Sequence, residues 1–218
     1  MIDAAGIDRT ARGLSLALRG VLHPKPDATL DGATQTLVLL GPDEPDFWGI
    51  FTQSPEYLDG EPDPMDRWSK RITMPLAERW QGQALFPSDG PPYPPFLGWA
   101  TASGAAWASP VGLLVHKDAG LFVSYRCAIA LPFHVSLPAP SVIPCKTCDA
   151  PCEGACPVSA IAKEHPYDVA RCKAHMRSPD GVECRENGCL VRRACPVATN
   201  FRRLPAQSAF HMAAFLKN

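Results

Sequence analysis

The sequence lacks any apolar run near the roughly 20 residues that a helix needs to cross a bilayer; the longest, Val111 to Val115 and Ala128 to Phe133, stop far short of that. No membrane partner is expected. A basic N-terminal stretch is missing too: acids stand at Asp3 and Asp8, where a secretory signal would place lysine or arginine, and no small-residue cleavage site follows an apolar segment. The expected compartment is therefore the cytoplasm. No internal repeat, coiled-coil heptad or low-complexity tract is present, so solenoid and fibrous architectures are excluded. Cysteine is nearly absent from the first 144 residues, which hold only Cys127. What remains is 218 residues with 46% hydrophobic content, enough for one large domain or two small ones with packed cores.

The other eight cysteines crowd into residues 145 to 195. In a reducing compartment such clustering points to metal ligation before disulfides. Charge follows the same division. Residues 1 to 141 hold 10 basic and 15 acidic side chains, whereas residues 142 to 218 hold 11 basic and 7 acidic, so the cysteine-rich third is the cationic part of a chain whose formal net charge is -1.

Leu14, Leu18, Val21 and Leu22 recur at helical spacing, which predicts an amphipathic helix ending before His23-Pro24. Thr36 to Leu40, closed by Gly41-Pro42, reads as a buried strand. Met65, Trp68, Ile72, Leu76 and Trp80 form a helical stripe entered through Asp63-Pro64 and bent at Pro75. Ser88 to Pro95, with four prolines, is extended or turning and leads to a helix from Phe96 to about Ser103. Val111 to His116 and Leu121 to Ala130 read as a hairpin around Lys117-Asp118-Ala119-Gly120, with glycine at a positive φ. Leu131 to Pro144 reads as a linker, and Pro205 opens a helix that packs Phe210, Ala213, Ala214 and Leu216 on the body. The expected fold class is α+β: residues 1–140 form a cofactor or substrate domain, and residues 141–218 a metal-rich module with a C-terminal helix.

The first cysteine group is Cys145-Lys-Thr-Cys148-Asp-Ala-Pro-Cys152-Glu-Gly-Ala-Cys156-Pro157. In a bacterial ferredoxin, three cysteines of such a loop ligate one 4Fe-4S cluster and the fourth, before proline, ligates the other. Here the middle gap has one residue more. The second group, Cys172, Cys184, Cys189 and Cys195-Pro196, has wider gaps but ends the same way. Two groups with matching ends suit two exchanged clusters, one held by Cys145, Cys148, Cys152 and Cys195, the other by Cys156, Cys172, Cys184 and Cys189. Zinc is the rival, although zinc fingers commonly use two Cys-x2-Cys pairs and this chain has one, at Cys145 and Cys148. Burying anionic clusters demands donors and cations, and Arg171, Lys173, Arg177, Arg185, Arg192 and Arg193 are candidates for that role.

The run from Gly112 through Leu-Leu-Val-His-Lys-Asp-Ala-Gly-Leu-Phe-Val-Ser-Tyr-Arg-Cys-Ala-Ile-Ala-Leu to Pro132, followed by Cys156-Pro157 and Asp168-Val-Ala-Arg-Cys172, resembles the core of epoxyqueuosine reductases and, more distantly, reductive dehalogenases. Tyr57 to Trp80 is similar to the helix those enzymes place before this core. The resemblance implies a nitroreductase-related, cobalamin-processing N-terminal fold joined to a ferredoxin-type dicluster module. It also implies a cobalamin between the two parts, lined by residues 94–110 and the 111–130 hairpin. The family's Gly-Lys-Asn after the tryptophan is Ala108-Ser109-Pro110 here, and its Gly-Arg-Asp-Tyr-His motif is replaced near Tyr57-Leu-Asp-Gly-Glu-Pro. The family's tRNA chemistry therefore does not follow from the resemblance.

Trp107 and Tyr125 are the candidate cofactor-facing residues, for a corrin or a flavin, each weighed against packing its ring in the core. No catalytic residue is singled out. His116 and His134 stand as alternative metal ligands, Cys127 as a buried strand residue, and Asp59, Asp63 and Asp66 as either acids or a solvated helix start. The expected function is that of a dicluster iron-sulfur oxidoreductase or its electron-transfer component, taking electrons from a small donor such as ferredoxin or flavodoxin and acting on a small-molecule substrate. The alternatives are a non-catalytic cobalamin-binding chaperone and a ferredoxin-like carrier. Nucleic-acid binding is not expected, since cluster compensation accounts for the basic residues better than phosphate contacts do.

Overall fold

The computed structural model describes residues 3–25 and 29–217, a mixed α+β chain that divides into two compact units. The first comprises residues 1–106 and 124–141, the second residues 107–123 and 142–218. Residues 107–123 belong to the second unit, and the chain is again part of the first from Ser124. Among the described residues, no helix is long and apolar enough to cross a membrane.

The first unit is built on a four-stranded antiparallel sheet ordered β1-β2-β6-β3, with β1 Leu16–Leu22, β2 Thr36–Pro42, β3 Gln83–Leu85 and β6 Cys127–Leu131. The opening helix, α1, is Ala4–Arg12, capped by the Asp3 side chain accepting from the Gly6 amide, and it buries Ile7 and Ala11. Leu18, Val21 and Leu22 lie in β1, not in a helix. Their spacing is helical, but almost every residue from 16 to 22 is buried, and that two-sided burial is met by a sheet interior rather than by an amphipathic stripe. Arg19, buried in the same strand, donates to the Pro42 carbonyl. Strand β2 runs two residues past the expected stop, with Gly41 paired to Ala17 and Pro42 to Leu16. A side chain at 41 would stand 2.3 Å from the Ser124 carbonyl oxygen, so glycine there permits backbone contact rather than ending the strand.

Helices α2 (Asp46–Phe51), α3 (Pro55–Leu58) and α4 (Pro64–Arg79) follow, then α5 (Phe96–Ala102) after the proline-rich segment. The α4 stripe is found as read, entered at Asp63-Pro64 and containing Pro75. It buries Met65, Trp68 and Leu76, and Trp68 meets Phe47 and Phe51 edge-on at 5.2 and 5.9 Å.

Arg71 on α4 donates from Nε and one terminal guanidinium nitrogen to the two carboxylate oxygens of Glu56 on α3. That hydrogen bond, against the opposing effect of burial, keeps the Glu56 carboxyl below its usual value. The pair therefore contributes stability at pH above the unfolded carboxyl value of about 4.3 and loses it as pH falls through the lower folded value. Because Arg71 is half exposed, the contribution is small. Glu56→Gln should cost about 0.5–1 kcal/mol at neutral pH, and denaturant titrations of wild type and variant should converge once the carboxyl is protonated.

In the second unit, β4 (Ala106–Ala108) and β5 (Leu114–His116) make a two-stranded sheet. The expected hairpin does not form. Its first arm shortens to β5, which pairs with β4, while residues 127–131 of its second arm pair with β2 and β3 in the other unit. The turn itself is present: His116 and Gly120 exchange backbone hydrogen bonds at 3.0 and 2.9 Å, and the buried His116 Nδ1 accepts from the Asp118 and Ala119 amides. An irregular stretch follows, and then five helices: α6 (Val169–Arg177), α7 (Val182–Asn187), α8 (Leu190–Arg193), α9 (Pro196–Phe201) and α10 (Pro205–Lys217). Helix α10 packs on α7 through buried Gln207 and Ser208, whereas Ala213 and Ala214 are exposed, so the packing face is rotated from the one expected.

Candidate metal centre

Eight of the nine cysteines line two separate cavities in the second unit. Cys145, Cys148, Cys152 and Cys195 wall the first, together with Ser109, Pro110, Val115 and Leu121. Cys156, Cys172, Cys184 and Cys189 wall the second, with Ile161, His175, Met176 and Met212. Each cavity takes three thiols from one stretch of chain and one from the other. Cys195-Pro196 of the later stretch walls the first cavity, and Cys156-Pro157 of the earlier stretch walls the second. The thiols thus fall into the two sets of four that the exchanged pattern describes. Among the described residues, no three His, Cys, Asp or Glu side chains converge on a point where one metal ion would touch them all.

Local backbone conformations position these sulfurs. Cys145 lies in a short 3-10 turn over Pro144–Thr147. Ala150 takes a left-handed φ of 50°, and its amide donates to the Cys148 sulfur at 3.4 Å. The second Cys-x3-Cys step ends in a similar wrap: Ser159 is left-handed and the Ala160 amide donates to the Cys156 sulfur at 3.2 Å. The middle gap of three residues is accommodated by the left-handed Ala150, so Cys152 still reaches the first cavity, where it is buried. Cys172 is carried by α6, whose N-cap Asp168 accepts from the Arg171 amide; Cys184 lies on α7, and Cys189 and Cys195 stand at the N-caps of α8 and α9.

Burial pushes the thiols of Cys145, Cys152, Cys172 and Cys184 up. The other sulfurs of the same cavity push in the same direction: Cys148 and Cys195 act on Cys145, while Cys189 and Cys156 act on Cys172. A cation arriving to share the charge would favour the thiolate against this effect. Tyr167 opposes this at one position. Its hydroxyl hydrogen-bonds to the Cys172 sulfur and favours the thiolate, while its ring stacks on Phe215 at 6.3 Å.

The expected cations are present but otherwise engaged. Arg185 donates to the Met176 and Ser178 carbonyls, Arg192 to Leu121, Arg177 to Leu216, and Arg193 to Glu183. Arg171 pairs with Asp168, and Lys173 sits over the Phe215 ring. They bind the unit's segments to one another.

Trp107 is half-buried in the second unit and packs on the apolar cluster that includes Val111, Val115, Cys152 and Cys195. Tyr125 belongs to the first unit, buried beside Phe96, and burial pushes its phenol up. Cys127, fully buried in β6, has its thiol pushed up to about 12 by burial, as suits a core residue. His116 serves the 117–120 turn, and His134 stands 3.5 Å from His23 in the first unit. Asp59 is clasped by Arg67 at 2.7 and 2.8 Å, Asp66 approaches Arg126 at 3.7 Å, and Asp63 is the left-handed N-cap of α4.

Three residues beside the cysteines were not read as site residues. Gly120, assigned to the turn, approaches Cys195: a Cβ there would stand 2.9 Å from its sulfur and 2.6 Å from the Ala198 nitrogen. Ser109, within the Ala108-Ser109-Pro110 departure, lines the first cavity, and the Tyr167 hydroxyl hydrogen-bonds to the Cys172 sulfur five residues on. No family model, curated protein or solved structure matches this chain.

Proposed function

We propose that the second unit holds two 4Fe-4S clusters and that the protein is an electron-transfer component or reductase built on them, in the manner of the epoxyqueuosine reductases it resembles. The observation that carries this reading is the partition of eight thiols into two cavities of four, each assembled from both cysteine stretches. The donor set suits such a group, since each cubane takes four cysteine thiolates. Zinc would need four sulfurs about 2.3 Å from a single ion, whereas a cubane spreads its thiolates over four irons, and sulfurs distributed round a cavity suit the second.

When bound, such clusters accept and release single electrons. The chain's own part is to bind, orient and shield. The amides of Ala150 and Ala160 and the hydroxyl of Tyr167 donate to ligand sulfurs, which favours their anionic form. Val115, Leu121, Ile161 and Val191 exclude water around them. The first unit, nitroreductase-related in this reading, takes the role of the cofactor or substrate domain; a cobalamin or flavin, a ferredoxin or flavodoxin donor, and a cytoplasmic setting rest on the resemblance.

Protein purified without oxygen is expected to be coloured, to bleach reversibly on reduction, and to contain iron and labile sulfide in equal amounts. Stoichiometric zinc, or sulfurs joined in disulfides in the anaerobic protein, would overturn the reading.

A further inference from the structure

Ser109 is 7% exposed, and its hydroxyl oxygen is buried without a hydrogen-bond partner. It lies on the wall of the first cavity, among Cys145, Cys148, Cys152 and Cys195. Its backbone is occupied: the amide donates to the Leu113 carbonyl at 2.8 Å and the carbonyl accepts from the Gly112 amide at 2.9 Å. That pair fixes the residue at the end of β4 and leaves the side chain as the one group there with unmet capacity. A buried hydroxyl left unpaired is costly, and a native chain seldom keeps one unless something absent from the protein itself satisfies it. Pro110 follows directly and restricts residue 109 to extended backbone, which limits its freedom to turn toward solvent. The lining of the second cavity, among the described residues, includes no serine or threonine.

Resting on the iron-sulfur reading above, we infer that Ser109 is a positioning residue for the first cavity, donating its hydroxyl hydrogen to a sulfur of the cluster held there and making that cluster easier to reduce. The physical reason is that an added electron increases the negative charge on the sulfurs, so a fixed donor stabilises the reduced form more than the oxidised one. Nothing is consumed: the hydroxyl keeps its proton and only the strength of its hydrogen bond changes. The two clusters would then differ in potential partly through one side chain outside the cysteine motif.

The test is an anaerobic redox titration of the full chain followed by electron paramagnetic resonance, on wild type, Ser109→Ala and Ser109→Thr. Ser109→Ala is expected to retain both clusters while one midpoint falls, by about tenfold in the reduced-to-oxidised ratio, or about 59 mV for a one-electron couple, with the other unmoved. Ser109→Thr keeps the hydroxyl and should recover most of the shift. Midpoints that ignore residue 109, a threonine variant that behaves like alanine, or loss of the first cluster in both variants would overturn the inference. A wild-type protein that binds no iron would instead overturn the reading beneath it, so the two failures are separable.

Discussion

Cys195→Ala should remove about four of about eight irons per chain, and Cys152→Ala should remove the same four. Residue 195 lies 43 positions after residue 152 in the sequence, yet both thiols wall one cavity. The double variant Cys152→Ala/Cys195→Ala should therefore lose no more iron than either single one. Cys195→Ala/Cys189→Ala, though its two sites are close in sequence, should lose all of it, because Cys189 walls the other cavity. Non-additivity within a cavity and additivity between cavities is the signature of two groups acting as units. Iron loss that followed sequence proximity, with Cys189 and Cys195 behaving as one set, would contradict the partition.

Gly120→Ala should destabilise the protein by about 2–5 kcal/mol and lower its iron content, from the sum of two costs. The residue has a φ of +54°, which a side chain tolerates at about 1–2 kcal/mol. Its new Cβ would stand 2.6 Å from the Ala198 nitrogen, which is backbone, and 2.9 Å from the Cys195 sulfur, so α9 or the turn must shift at a further cost of about 1–3 kcal/mol. Gly112→Ala is the internal control. Its φ of +76° carries similar strain, but nothing lies within 4 Å of the added atom, so it should cost only the backbone part and leave iron content unchanged. Equal unfolding midpoints for the two variants would mean that the approach to Cys195 is immaterial.

Much of this was legible in the sequence where the signal is local. The α4 stripe, the Asp63-Pro64 entry and the start of α10 at Pro205 depend on spacing and on proline's missing amide, both of which act within a turn or two. The cavity linings follow a different cue: in each group the thiol that precedes proline, Cys156 or Cys195, lines the cavity apart from the rest of its group. The failures have a common cause. Leu18, Val21 and Leu22 satisfy a helical period while sitting in a strand, because a strand buried on both faces has no alternation to display. The 111–130 hairpin failed because strand character says nothing about pairing partner, and the chain changes unit near Ser124 between its two arms. The carbonyls that Arg185 and Arg192 reach have no sequence signal, since an arginine takes whichever carbonyl the fold brings to it. Ser109 comes to share a cavity with Cys145, Cys148, Cys152 and Cys195 through the tertiary fold, which no local pattern encodes.

We propose the second unit as a scaffold for two separate cubanes. The most direct test is the mass of the intact, anaerobically purified chain under non-denaturing conditions. The expected mass exceeds that of the 23.5 kDa polypeptide by two increments, each of four irons and four sulfides. A mass equal to the bare chain, or raised only by zinc ions, would contradict it.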